Sequence, residues 1–114
     1  MTHESTCIRP LKRVVWVQIR GHFDHHTEPE ITQVISDIMS QGQYKIVLDL
    51  TNCTSLSSAG LRSLLSLRRT AKRYNRGDIR LANPQGYVLD LLGLVGFTRI
   101  FEIYATATEA VGSF

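Results

Sequence analysis

Two short runs of this chain carry the side chains that could do chemistry. One is Ser57-Ser58-Ala59-Gly60, entered from the strand-like residues before it, and the other is His22-Phe23-Asp24-His25-His26. Adjacent serines opening an amphipathic helix place a hydroxyl among free backbone N–H groups at the positive end of the helix dipole. Such a position accepts a phosphate group without unravelling the helix. Nucleophilic catalysis through Ser58 would need a base and an orienting group. Asp24 and a histidine are at hand, but there is no Gly-x-Ser-x-Gly elbow and no second acid. A zinc site would need a third ligand, and adjacent histidines in extended chain point opposite ways. Gly93 and Gly96 form no phosphate-binding fingerprint. The residues favour a modifiable binding surface over an enzyme, with no catalytic residue, metal or cofactor expected.

The surrounding pattern says what must hold these runs. Val14–Arg20 is rich in β-branched and aromatic residues and reads as a strand, with Ser5–Arg9 as an edge partner. Gly21 ends the strand, and His22–His26 reads as a loop. Thr27-Glu28-Pro29-Glu30 has the form of a capping box with proline in the first turn. Ile31, Val34, Ile35 and Ile38 then follow helical spacing to about Ser40. Tyr44–Leu50 is a nearly continuous apolar run, as in a central strand covered on both faces.

After a turn over Asn52–Ser57, a second helix presents Leu61, Leu64, Leu65, Leu67 and Ala71 as its apolar face. Asp78–Ala82 reads as a short strand. A helix from Pro84 carries Tyr87, Val88, Leu91 and Leu92, and Arg99–Tyr104 reads as another strand. Thr106-Ala107-Thr108-Glu109 opens a terminal helix with a second capping box. The alternation implies an α/β fold with a mostly parallel central sheet of about five strands and about four helices. Functional residues of such sheets lie beyond the carboxyl ends of the strands, where both runs fall.

Composition sets the outer bounds. With 114 residues, 43% of them hydrophobic, the chain can bury one core and reads as a single domain over 1–114. No apolar run approaches the roughly 18 residues of a membrane span, and no secretory leader pattern opens the chain. Cys7 and Cys53 lack metal-type spacing, so they read as packing residues, reduced in a cytoplasmic setting. The net charge of +3 owes much to Arg68–Arg76. That segment reads as the exposed end of a helix, where cations suit the dipole, in preference to a patch for nucleic acid or an acidic partner, and no direct nucleic-acid contact is expected.

The residues from Asp49-Leu50 through Leu56-Ser57-Ser58-Ala59-Gly60-Leu61 resemble the signature of the STAS domain, and Gly21–Thr27 is similar to a second motif of that family. The two motifs fall in the right order on the right elements, and the likeness covers essentially the whole chain. It is nearest to the single-domain bacterial anti-sigma-factor antagonists. The resemblance implies a STAS fold and a partner-switching role. The antagonist binds a serine-kinase anti-sigma factor, is released by phosphorylation, and is restored by a PP2C-type phosphatase. By position Ser58 matches the phosphorylated serine and Asp24 the acidic loop residue near it. Ser57 stands where many members carry aspartate, which makes it an alternative acceptor. Ser58 is preferred because Ser57 is better placed to cap the helix. The expected partner-binding residues are Asp24, His25, His26, Ser57, Ser58, Ala59 and Gly60, in a monomer or weak dimer. The competing reading keeps the fold without the switch, as a constitutive scaffold subunit in a stress-sensing or lipid-transport complex.

Overall fold

Alternating burial along Val15-Trp16-Val17-Gln18-Ile19 splits this strand's side chains between two faces, and both faces are covered. The computed structural model describes residues 5–11, 13–74 and 76–114. Its five-stranded sheet has the order β1-β2-β4-β6-β7, formed by Thr6–Pro10, Val15–Ile19, Lys45–Asp49, Asp78–Ala82 and Ile103–Tyr104. Only β1 runs antiparallel to its neighbour; the β2–β4, β4–β6 and β6–β7 pairs are parallel. The apolar run before Leu50 therefore lies in the central strand, β4, as its two-faced hydrophobicity requires.

Helices α1 (Glu28–Ser40), α2 (Ser58–Lys72) and α3 (Gly86–Leu94) share one core with Val15, Val17, Ile46, Leu48, Ile79 and Leu81. On the other face α4 (Ala107–Gly112) packs Ala110 with Val14, Val47 and Ala82. The fold is that of the expected α/β class, with four helices around a mostly parallel sheet.

Two more strands stand apart from the main sheet. Gly21–Phe23 (β3) and Cys53–Leu56 (β5) pair in parallel as a separate ribbon. By composition these segments read as loop and turn. Each is too short to show a period of two, and its partner lies some thirty residues away, so no local pattern marks it. Gly21 sits at φ +77, a region open to glycine, and turns the chain from β2 into β3. Its N–H donates to the Asn52 carbonyl at 2.9 Å, which starts the ribbon.

Other boundaries also shift. The strand expected over Arg99–Tyr104 shrinks to Ile103–Tyr104, because Phe97–Arg99 coils into a 3₁₀ turn that buries Phe97, and Phe101 is buried just after it. The helix expected from Pro84 starts at Gly86. On α2 the buried stripe is Gly60, Ser63, Leu64, Leu67 and Ala71, while Leu61 and Leu65 are only half-buried. Apolarity finds this face, with Leu61 and Leu65 packed at its edge, but misses Gly60 and Ser63, since glycine and serine do not register as core residues.

Asp78 pins the start of β6. It is 3% exposed, with Arg80 at 3.2 Å and Arg68 at 3.5 Å. Arg68 thus leaves the expected solvent-facing basic segment and turns inward, over the Phe101 ring.

Candidate functional site

Ser57 precedes α2 in extended conformation and its side chain accepts from the Gly60 N–H at 3.4 Å. It is therefore the cap residue, which spends its hydroxyl on the helix end. Ser58 is the first residue of the helix and is exposed. Among the described residues its hydroxyl has no hydrogen-bond partner. The two adjacent serines thus divide into a structural hydroxyl and a free one.

The Asp24 loop is fastened to this corner through Phe23, the last residue of β3. Its carbonyl accepts from the Ser57 N–H at 3.0 Å, and the Phe23 side chain is fully buried. One residue further back along β3, His22 Nδ1 and Ser55 Oγ lie 2.6 Å apart across the ribbon. Asp24 and Ser58 each follow directly on one member of the Phe23–Ser57 pair. The ribbon β3–β5 is what brings the two sequence runs together.

Gly60 closes the packing from beneath. A Cβ built there would stand 2.6 Å from the Phe23 carbonyl oxygen and 3.2 Å from its ring. Gly60 is consequently buried and faces inward, so it shapes the surface without lying on it. Ala59 is half-exposed beside Ser58.

Inside the loop, Asp24 Oδ1 accepts from the N–H groups of His26 at 3.0 Å and Thr27 at 3.2 Å. Burial pushes the Asp24 carboxyl up. Those two N–H groups and the neighbouring His26 and His25 more than offset it, holding the carboxyl below its ordinary value. The loop is a carboxylate-centred turn.

Two expectations fail here. Thr27 makes no side-chain cap for α1. Its hydroxyl instead donates to the His22 carbonyl at 2.7 Å and accepts from the Asp24 N–H at 3.1 Å, so the loop takes the group that the capping box would have used. His25 and His26 do not point apart either. Both are exposed and their ring centroids lie 4.0 Å apart, because this stretch is a turn and not extended chain. Among the described residues no group of three His, Cys, Asp or Glu side chains could hold a metal.

Glu28, Arg62 and Ser63 adjoin the site and escaped the sequence reading. Ser63 Oγ donates to Glu28 Oε1 at 2.6 Å and Thr32 Oγ1 donates to the same oxygen at 3.0 Å, tying α2 to the start of α1. Glu28, Ala59, Arg62, Ser63 and Ser66 line a shallow depression next to Ser58. The available signal was helical spacing, which sets Arg62 one turn beyond Ser58. A larger groove, floored by Ile8, Val15, Val34 and Ile38, runs between β1 and α1 and includes none of these residues.

A family model described as the STAS domain matches residues 8–110 of the chain. A candidate anti-sigma factor antagonist from Thermotoga maritima superposes with a TM-score of 0.88 at 22% identity, covering 96% of this chain and 94% of that one. The unphosphorylated form of the anti-sigma factor antagonist SpoIIAA gives 0.80 at 24% identity, covering 93% and 92%. The phosphorylated form of SpoIIAA, a Bacillus cell fate determinant, gives 0.74 at 23% identity, covering 95% and 97%. At these identities the likeness is one of fold.

Proposed function

Because this chain belongs to the STAS domain family, we propose that it is an anti-sigma-factor antagonist that switches partners by phosphorylation. Unmodified, it binds a serine-kinase anti-sigma factor; phosphate on Ser58 releases that kinase, and a PP2C-type phosphatase reverses the mark. The observation that carries this reading is the division of labour between the serines. Ser57 is occupied by the helix cap, while Ser58 is exposed on the first turn beside the Asp24 loop. Of the similar solved structures, SpoIIAA is known in both unphosphorylated and phosphorylated forms.

The docking surface in this reading comprises Asp24, His25, His26, Ser57, Ser58 and Ala59, with Gly60 acting from below by setting the position of Phe23. The Asp24 carboxylate either orients the Ser58 hydroxyl or meets the partner's catalytic machinery. Phosphate brings about −1.5 to −2 charges to the centre of that surface. Burying them against acidic or apolar groups costs desolvation and repulsion that exceed a modest binding energy. The helix end itself tolerates the added charge, so release needs no refolding.

The test is intact mass after incubation with the co-encoded serine kinase and ATP, followed by site mapping. One phosphate at Ser58 is expected. Ser58→Asp is then expected to lose kinase binding while keeping a native circular dichroism spectrum, and Ser58→Ala to keep binding. No incorporation, or equal binding by both variants, returns the chain to the scaffold reading.

A further inference from the structure

The exposed face of α2 does not end at Ser58. Arg62, Ser66, Arg69 and Arg73 follow at helical intervals and are all exposed. They form a ridge about 16 Å long at 1.5 Å per residue. Among the described residues, none of the three arginines belongs to an ion pair, whereas Arg68 and Arg80 do. The ridge is continuous with Ser58 and adjoins the Glu28 depression through Arg62.

We propose that this ridge docks an acidic face of the partner protein, and that phosphate on Ser58 competes with that face by drawing Arg62 onto itself. The inference rests on the reading of Ser58 as the modified residue. Guanidinium groups pair with carboxylates and with phosphate in the same forked geometry, so one arginine can serve either acceptor in turn. Side chains four residues apart on a helix are neighbours, which puts Arg62 within reach of a phosphate on Ser58. Modification then acts twice. It withdraws the first cation of the ridge and sets a dianion before an acidic partner. Nucleic acid fits this surface less well. The one aromatic near the ridge, Tyr74, is already stacked on Tyr44, whereas single-strand binders keep their aromatic faces open to bases.

Chain carrying phosphoserine at position 58 by genetic encoding separates this inference from the action of any kinase. A ³¹P titration is expected to show the second phosphate pKa about 0.2–0.4 pH unit lower than in the same protein with Arg62→Gln. Identical titrations overturn the cis contact. In the unmodified protein, an oligoglutamate peptide is expected to shift the amide resonances of Ala59–Arg73. Binding should weaken several-fold with Arg69→Glu and again with phosphoserine 58. No shift along α2, or tighter binding of a DNA oligonucleotide of equal charge, overturns the acidic-partner assignment. A kinase that fails to modify Ser58 defeats the proposed switch, yet leaves both measurements readable.

Discussion

Gly60 leaves no room for a side chain against Phe23: an added Cβ would meet the Phe23 carbonyl oxygen at 2.6 Å. That oxygen is already engaged, accepting from the Ser57 N–H at 3.0 Å. The start of α2 and the Asp24 loop are therefore locked at a single backbone contact. Gly60→Ala should destabilise the protein, although alanine is the better helix former. Overpacking against backbone costs about 1–3 kcal/mol, against about 0.5–1 kcal/mol gained by replacing a helical glycine. Urea unfolding decides the sign; a stabilised variant would show the contact to be soft.

The two serines should separate by stability. Ser57→Ala removes the cap, whose cost is about 0.5–2 kcal/mol and falls at the low end here because the bond is 3.4 Å long. Ser58→Ala alters an exposed first-turn residue and should stay within about 0.5 kcal/mol of wild type. Thermal unfolding of both variants, with phosphate incorporation measured alongside, tests the assignment. Equal melting temperatures would mean that Ser57 does not cap the helix.

Asp24 should tie the loop to pH. Its folded carboxyl sits below the ordinary value, so its contribution is fully present at neutral pH and is lost as pH falls through that lowered value. Asp24→Asn removes the charge while keeping an acceptor oxygen. The stability gap between wild type and Asp24→Asn should hold steady above the ordinary carboxylate range and close in acid. A gap that stays constant into strong acid contradicts the charge-stabilised turn.

Cys53 should be chemically silent. Burial pushes its thiol up to about 11, against the weaker pull of a backbone hydrogen bond from Ser55. At pH 8 only about 0.1% of it is thiolate, the reactive form. In a Cys7→Ser background, iodoacetamide labelling of the folded protein should run at least a hundredfold slower than in urea. Rapid labelling of the folded form would place Cys53 nearer the surface than its 3% exposure implies.

Much of this fold is legible in the sequence, for one reason. Side-chain periodicity records burial, and the core of a parallel α/β sheet is built from long periodic runs. Ile31, Val34, Ile35 and Ile38 were visible as a buried helix face, and Asp78–Ala82 matches its strand to the residue. The apolar run before Leu50 announced the central strand, and Thr106 does cap α4 by accepting from the Glu109 N–H at 3.1 Å. The strand-to-helix corner at Ser57 and Ser58 was equally plain.

What the tertiary structure alone decided depends on backbone partners and on residues with no hydrophobic signal. The β3–β5 ribbon joins segments of three and four residues, and its hydrogen bonds exist only once the chain has brought Gly21 to Asn52. Gly60 and Ser63 enter the buried stripe of α2 because a close approach needs small side chains, which a hydropathy pattern counts as nothing. Thr27 gives its hydroxyl to the Asp24 loop once that loop is held in place. Order along the chain determined which elements form; distance across the fold determined which of their atoms meet.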